Sequence, residues 1–333
     1  MAELQGVAAQ LDTDLWALDT LWQDVPGVIA SYLLDGPDGV ALVDVGSGAT
    51  VDQLLASIRA SGHQPEEIRH LVITHVHLDH AGATGSLLPH MPQARVYVHS
   101  IGAPHLIDPS RLMKSASRIY GDQMERLWGT MAPVPADRVT ALEDGDEVRV
   151  GVRTLRALYT PGHAVHHVAY HDVANELIFS GDVAGVRLEG VRYVRPPTPP
   201  PDLDLELWSA SIDRLAQLQP RRLYLPHYGA VDDVQPHLAA LKERLYAWGE
   251  LLLPDIRAGK SDQELADELA RAYDPDVAQA IAAEPGPAGE TTSQRAEREA
   301  QAVHRYEVVA NYLMSAQGYV RYFTRLHPER LAQ

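Results

Sequence analysis

The feature that most constrains this chain is a run of metal-binding side chains directly after a short apolar strand. Residues 70–80 read HLVITHVHLDH, in which HLVIT has the composition of a buried strand. Alternate side chains of an extended segment point to the same side, so His75, His77 and Asp79 converge if the loop stays extended. His80 points elsewhere and is available to a second ion. Four ligands exceed the three that an open catalytic zinc typically takes, and they are too few for two sites.

Further ligands are therefore predicted at later strand ends, and three motifs supply them. TPGH places His163 after the predicted strand LRALY, FSGD places Asp182 after ELIF, and LPHYG places His227 after RRLYL. Each lies in a turn built with Gly or Pro, which brings the side chains to one edge of a sheet. The full set of five histidines and two aspartates is enough for two three-ligand sites and one bridging carboxylate. These ligand types suit Zn²⁺, with Fe or Mn as alternatives.

Composition argues against several other classes of function. The formal net charge is −17 and no run of Lys or Arg interrupts it, so a nucleic-acid partner is not expected. The chain has no cysteine, which excludes a Cys nucleophile and Cys-ligated metal. The N-terminal stretch MAELQGVAAQLDTDLW is acidic and lacks the apolar run of a signal peptide. No segment approaches the roughly 20 apolar residues of a membrane span, so we expect a cytoplasmic protein with no membrane partner.

The motifs HVHLDH, TPGH, SGD and PHYG occur in this order, and each follows a predicted strand. Together they resemble the metallo-β-lactamase superfamily over about residues 25–230. The resemblance implies an α/β (α+β) fold, a four-layered αββα sandwich with two metals at one edge between the sheets. It also implies a metal-binding role for each of the seven residues. His75, His77 and His163 bind one ion, Asp79, His80 and His227 bind the other, and Asp182 bridges the two.

The domain organisation is predicted from a change of pattern near residue 231. Residues 1–230 form the catalytic domain, with a helical insert at about 103–131. Residues 231–333 show helical spacing throughout and are interpreted as an all-helical C-terminal subdomain. Its last segment, from TTSQ to YFTRL, is rich in tyrosine, which predicts either core packing or the face of a homodimer.

The resemblance implies a dinuclear zinc hydrolase in which a metal-bridging hydroxide attacks the carbonyl of a small thioester, ester or lactone. Asp79 is the candidate proton shuttle, and Tyr228 is the candidate that orients the substrate or steadies the leaving group. Two alternatives stay open: an iron-dependent oxygenase of the same fold, similar to persulfide dioxygenases, and a phosphodiesterase.

The motif set is most similar to the hydroxyacylglutathione hydrolase (glyoxalase II) and acyl-homoserine lactonase branches. The chain departs from both after Asp182, where it reads VAGVRLEGVRYV. Arg187 and Tyr193 belong to this stretch and are candidate substrate-binding residues, and Tyr120 in the helical insert is a third. In TPGHAVHH, the second histidine of the family motif is His167, and His166 stands where the family usually has Gly. Asp44 in LVDVG matches a family position that supports the metal loop.

Overall fold

Two facing sheets form the centre of the protein in the computed structural model, which describes residues 5–37, 39–284, 286 and 289–332. The first four residues of the acidic N-terminal stretch therefore lie outside the described residues. The first sheet has seven strands in chain order, antiparallel from β1 to β4 and parallel from β4 to β7. These strands are β1 (Val7–Asp12), β2 (Leu15–Asp19), β3 (Ala30–Leu34), β4 (Val40–Val43), β5 (Ile68–Val72), β6 (Arg95–His99) and β7 (Val139–Leu142).

The second sheet has six strands in the order β13-β12-β11-β10-β9-β8. They are β8 (Glu147–Val150), β9 (Arg153–Tyr159), β10 (Val168–Asp172), β11 (Leu177–Phe179), β12 (Arg222–Leu225) and β13 (Gly229–Val231). Within this sheet, as far as the structure describes the chain, only β11 and β12 pair in parallel. A parallel pair needs a crossover connection, and the chain between these two strands contains a long helix.

The helices cover the outer faces of the sheets and extend the chain beyond them. Those of the first two-thirds are α1 (Val51–Ala60), α2 (Leu78–Ala81), α3 (Thr84–Leu87), α4 (Ala103–Ile107), α5 (Ser110–Tyr120), α6 (Met124–Trp128) and α7 (Leu205–Gln217). Those of the C-terminal region are α8 (Val234–Arg257), α9 (Asp262–Ala283), α10 (Thr292–Val309), α11 (Tyr312–Arg321) and α12 (Pro328–Leu331). The predicted insert at 103–131 corresponds to α4, α5 and α6.

Aromatic residues from both sheets fill the space between them. The ring of Tyr32 on β3 lies 5.6 Å from Phe179 and 5.3 Å from Tyr224, which belong to the second sheet. The Tyr32 hydroxyl donates a hydrogen bond across the sandwich to the carbonyl oxygen of Leu225 (2.5 Å). Each such buried ring contributes roughly 1.5–3 kcal/mol relative to exposure. With helices packed on both outer faces, this gives the predicted αββα sandwich followed by a helical region.

The C-terminal helices share a hydrophobic core with the second sheet. Trp248 on α8, Leu269 on α9 and Tyr319 on α11 belong to the same buried cluster as Trp208 of α7 and Leu223 of β12. The boundary near residue 231 coincides with the end of β13, but the separate status of the tail as a subdomain stays a prediction. The tail tyrosines 306, 312, 319 and 322 are buried within this one chain, so the homodimer also stays a prediction.

The last helical segment is divided in two, where the sequence spacing predicted one continuous helix. Helix α10 ends at Val309, and Ala310 leaves the helical conformation at φ −145° and ψ 64°. Asn311 then caps α11 by accepting a hydrogen bond from the backbone N–H of Met314 (2.8 Å). Asparagine is a favoured N-cap because its side chain satisfies an orphan N–H of the first turn. Among the described residues, no helix combines the length and apolar character needed to cross a membrane.

Candidate metal centre

The seven predicted ligands meet at one end of the sandwich. Four follow β5, with Asp79 and His80 on the short helix α2, and the others follow β9, β11 and β12, so each comes from the segment just after a strand. His75, His80, His163, His227 and Asp182 are almost fully buried. His77 is partly buried, and the side chain of Asp79 keeps 20% of its surface exposed. Strands bring the backbone to the edge, and the loops turn the side chains inward.

Asp44 organises the loop that carries the first four ligands. It follows β4 and adopts a left-handed backbone conformation (φ 54°). Its carboxylate accepts hydrogen bonds from the backbone N–H and the hydroxyl of Thr74, both at 2.8 Å. It also accepts one from Nδ1 of His80 (3.0 Å), which leaves Nε2 of that ring facing the centre. Such outer partners set the tautomer and orientation of a histidine ligand.

Three imidazoles form the first group. Nδ1 of His77 lies 3.1 Å from Nε2 of His75 and 3.0 Å from Nε2 of His163. The outer nitrogen of His163 donates to the carbonyl oxygen of Pro197 (2.9 Å), and that of His75 contacts the hydroxyl of Thr74 (3.0 Å). Burial lowers the pKa of His163 to about 3 and that of His75 well below its usual value. Both rings are therefore neutral, which is the form that binds a metal ion.

The second group contains two imidazoles and one carboxylate. Oδ2 of Asp79 lies 3.5 Å from Nε2 of His80 and 3.4 Å from Nε2 of His227. The outer nitrogen of His227 donates to the carbonyl oxygen of Val28 (3.0 Å). Burial opposes protonation of His80, but the carboxylates of Asp79 and Asp182 outweigh it and raise the pKa of that imidazole well above its usual value.

Asp182 lies between the two groups and offers one oxygen to each. Its Oδ2 is 3.4 Å from Nε2 of His163 in the first group. Its Oδ1 is 3.4 Å from Nε2 of His80 and 3.5 Å from Nε2 of His227 in the second. Burial opposes ionisation, yet these histidines lower the pKa of the Asp182 carboxyl, which is therefore anionic. This is the geometry expected of a bridging carboxylate.

Three of these facing atoms are buried without a hydrogen-bond partner among the described residues: Nε2 of His80, Nε2 of His227 and Oδ1 of Asp182. An unsatisfied buried polar group costs about 1–3 kcal/mol, so such atoms in one place need a compensating ligand. A cation would satisfy imidazole nitrogens and carboxylate oxygens together. The mixture of nitrogen and oxygen donors fits Zn²⁺, and the residues present therefore fit two divalent ions.

His167 holds the backbone of the bridging aspartate. Its Nε2 accepts a hydrogen bond from the backbone N–H of Asp182 (3.0 Å), so its Nδ1 carries the proton and donates to the hydroxyl of Thr160 (2.9 Å). Gly181 makes this approach possible, because a β-carbon at that position would lie 2.4 Å from Nε2 of His167. Its positive φ of 53° also favours glycine. His167 is thus a positioning residue outside the ligand set.

A cavity of about 670 Å³ opens beside the two groups. His77, Asp79, His163 and Asp182 form its floor. The helical insert contributes one wall, which contains Tyr120, and residues 304–315 around the break between α10 and α11 contribute the facing wall. The walls contributed by Trp22 and by the C-terminal helices were not predicted, because the sequence spacing of those residues indicates only helix and core.

Apart from the candidate metal ligands, three predicted residues lie outside the lining of this cavity. The guanidinium of Arg187 pairs with Asp233 (2.6 Å) and donates to the carbonyl oxygen of Val191. Tyr193 is buried, with the Arg244 guanidinium 4.2 Å from its ring centre. Tyr228 packs against the core between the sheets. Their side chains are engaged in these contacts, and substrate contact by Arg187 and Tyr193 and catalysis by Tyr228 stay predictions. Tyr120 alone of the candidate substrate-binding residues reaches the cavity.

Several characterised proteins are similar in sequence. A metallo-beta-lactamase fold-containing protein of Sulfurisphaera tokodaii is 28% identical over 62% of this chain and 76% of its own length. The hydroxyacylglutathione hydrolase of Cupriavidus metallidurans is 28% identical over 79% of this chain and 91% of its own. An atrochrysone carboxyl ACP thioesterase of Aspergillus fumigatus is 28% identical over 62% of this chain. The match spans about half of that thioesterase, 52% of its length.

Comparison of the folds and of the family motifs leads to the same group. The crystal structure of a metallo-beta-lactamase family protein from Thermus thermophilus superimposes with a TM-score of 0.67 over 95% of both chains, at 22% sequence identity. The family model of the metallo-beta-lactamase superfamily matches residues 24–227, which is more than half of the chain and includes all seven predicted ligands. The chain therefore belongs to the metallo-β-lactamase superfamily.

Proposed function

We propose that this protein is a dinuclear zinc-dependent hydrolase of a small thioester, ester or lactone. The observation that carries the proposal is the convergence of seven candidate ligand side chains, four of which form the floor of an open cavity, with three facing atoms left without partners among the described residues. The cavity volume of about 670 Å³ suits a small-molecule substrate. Membership of a superfamily that contains thioesterases and hydroxyacylglutathione hydrolases supports hydrolysis as the reaction class.

The proposed ligands fall into two sets that share one carboxylate. His75, His77 and His163 would hold one ion, Asp79, His80 and His227 would hold the other, and Asp182 would be shared by both sets. Bound divalent ions supply Lewis acidity and lower the pKa of water from 15.7 to about 7, so no protein nucleophile is needed. Fe or Mn bound by the same ligands is the alternative to zinc, and metal analysis of the protein distinguishes between them.

The chain's own residues contribute proton transfer and exclusion of water. Asp79 is the ligand whose carboxylate is most exposed to the cavity, and burial is outweighed by His80 and His227, which keep its pKa well below the usual range. As a carboxylate at the cavity floor, it is placed to accept a proton during attack on a carbonyl carbon. Leu78 and Val76 also line the cavity and add apolar surface near Asp79. Apolar surface lowers the local dielectric constant, which strengthens electrostatic interactions at the floor.

The names of the relatives favour a thioester over a lactone. One relative is a hydroxyacylglutathione hydrolase and another an ACP thioesterase. Hydrolysis of a thioester breaks the carbonyl carbon–sulfur bond, forms a carbon–oxygen bond to water, and releases a carboxylic acid and a thiol.

The test combines metal analysis with turnover. Wild-type protein, His77→Ala and the control His90→Ala, whose side chain is exposed, are reconstituted with zinc and freed of excess metal. Each is offered a hexanoyl-N-acetylcysteamine thioester and a hexanoyl-homoserine lactone, with metal-stripped protein as the blank. The proposal predicts two zinc ions per chain and metal-dependent turnover for wild type and His90→Ala. For His77→Ala it predicts loss of zinc and loss of turnover.

Other results would redirect the assignment. One iron per chain and oxygen consumption with a persulfide would indicate the oxygenase alternative. Cleavage of bis(p-nitrophenyl) phosphate without turnover of either carbonyl substrate would indicate a phosphodiesterase. Full activity of His77→Ala would contradict the proposed ligand set.

A further inference from the structure

The rim of the cavity carries a concentration of positive charge that is unusual for this chain. Helix α5, residues Ser110–Tyr120, contains Arg111, Lys114 and Arg118 and no Asp or Glu, in a protein whose formal net charge is −17. Residues at spacings of three and seven lie on one face of a helix, so these three cations form a single stripe. All three side chains are exposed. We call these residues the α5 stripe.

The α5 stripe adjoins the cavity. Leu112, Ala116, Ile119 and Tyr120 on the same helix line the cavity, and so does Arg111 itself. Ile119 is 44% exposed, which marks this helix as part of the cavity mouth. The α5 stripe thus lies beside the cavity mouth, where the polar end of a bound substrate would lie.

The charges of the stripe are mostly uncompensated within the part of the chain that the structure describes. The side chains of Lys114 and Arg118 form no ion pair or hydrogen bond in that part of the chain. Asp108, in the turn before α5, offsets part of the charge of Arg111. Arg126 on α6 also lines the cavity, and its guanidinium donates to the neutral side chains of Gln123 and Gln23. These cations are therefore free to contact an anion.

The interior of the cavity has the opposite character. Its insert wall presents Leu112, Ile119 and Leu127, and its facing wall presents Val308 and Met314. Such a surface favours an apolar group, because each buried methylene contributes about 0.8 kcal/mol. The cavity therefore combines an apolar interior, a carbonyl-cleaving floor and a cationic rim.

We infer that the substrate is an acyl thioester of the coenzyme A type, with its apolar acyl group in the cavity and its phosphate-bearing thiol moiety on the α5 stripe. This inference rests on the proposed function. Coenzyme A carries a pyrophosphate and a 3′-phosphate, and arginine is well suited to phosphate recognition. Water adds to the acyl carbon, the carbon–sulfur bond breaks, and the coenzyme A thiol leaves with a proton.

The experiment compares thiol moieties on one acyl group. Zinc-loaded wild type is offered hexanoyl-coenzyme A and hexanoyl-N-acetylcysteamine. The two present the same thioester, and the second lacks the outer part of the thiol moiety, including all its phosphates. We expect kcat/KM to be at least about tenfold higher for the coenzyme A thioester at low salt, since each exposed charge contact contributes up to about 1 kcal/mol. The advantage should shrink in 0.5 M KCl, because salt screens exposed charges.

Two double variants test whether the higher kcat/KM for the coenzyme A thioester depends on the α5 stripe. The double substitution Lys114→Glu/Arg118→Glu should remove the advantage of the coenzyme A thioester, mainly through KM. The matched control Arg59→Glu/Arg149→Glu reverses two exposed arginines that do not line the cavity and should retain it. Titration calorimetry with desulfo-coenzyme A adds a readout besides turnover, and its Kd should rise about tenfold in the stripe variant only.

Failure of this inference is distinguishable from failure of the proposed function. Equal kcat/KM for the two thioesters, or an advantage that survives in the stripe variant, would overturn the coenzyme A assignment and leave the hydrolase intact. Absence of turnover of either thioester and of the lactone would overturn the hydrolase itself, and the thioester inference with it.

Discussion

The guanidinium of Arg195 lies 2.5 Å from the carboxylate of Glu307 and joins the loop after the bridging aspartate to helix α10. Arg195 is fully buried, and it also donates to the hydroxyl of Tyr312 (2.6 Å) and the carbonyl oxygen of Ala310. Glu307 and Ala310 both line the cavity. One buried cation thus holds the C-terminal wall of the cavity against the catalytic sandwich.

Replacement of this cation should destabilise the protein. We expect Arg195→Met to lower the free energy of unfolding by about 2–3 kcal/mol, below the 3–5 of a fully buried pair, because Glu307 keeps partial exposure. Urea unfolding measures the loss. The control is Arg222→Met, which breaks an exposed pair with Asp232 and should cost less than about 1 kcal/mol. Equal losses in the two variants would contradict a special role for Arg195.

A β-carbon at residue 181 should disturb the bridging carboxylate. In Gly181→Ala the new methyl group meets Nε2 of His167 at 2.4 Å, and φ is 53°. The backbone of Asp182 must then move, and we expect zinc affinity to fall about 10–100-fold, as for other outer-shell changes. Competition with a chelator measures it. Gly259→Ala is matched, since φ is 73° there but no atom lies within 4 Å, and it should keep wild-type affinity.

His166 is placed to donate a hydrogen bond to the substrate. Its Nδ1 accepts from the backbone N–H of Val76 (3.3 Å), so the proton lies on Nε2, and the ring lines the cavity beside His77. We expect His166→Ala to lower kcat by about 10²-fold, as removal of an oxyanion donor does, without loss of zinc. His166→Gln should recover part of it, because its amide is a donor. An unchanged kcat in His166→Ala would contradict a hydrogen bond from His166 to the substrate and would leave the ring with a packing role alone.

Acid should destabilise the protein through His237. This side chain donates from Nε2 to the carbonyl oxygen of Ala184 (2.8 Å), and burial lowers its pKa to about 4 from 6.5. The unfolded chain binds the proton first, so the stabilising contribution is complete above about pH 6.5 and is lost as pH falls toward 4. The loss amounts to about 3 kcal/mol at 1.36 kcal/mol per pKa unit. Unfolding of wild type and His237→Gln at pH 7 and 4 measures it, and an unchanged difference between them would contradict it.

The convergence of the candidate ligands was predictable from the sequence because their signal is local. Each is a metal-binding side chain that follows a predicted apolar strand, and His163, Asp182 and His227 also lie in turns built with Gly or Pro. Strand ends collect at the edge of a sheet whatever the rest of the chain does. The superfamily fold follows from the same motifs. Spacing alone placed His80 on a different side from His77, and it lies with His227 in the other group. Spacing also placed Asp79 with His75 and His77 if the segment stays extended, but helix α2 begins at Leu78 and Asp79 lies with His80.

The cavity was decided only by the tertiary structure. Arg187 and Arg195 stand in one stretch and look equivalent in the sequence, yet one pairs with Asp233 at the start of α8 and the other anchors α10. The direction of each side chain depends on partners 46 and 112 residues away, and no local pattern encodes them. The sequence by itself determined which side chains form the candidate metal centre, whereas packing between distant helices determined the walls of the cavity beside it.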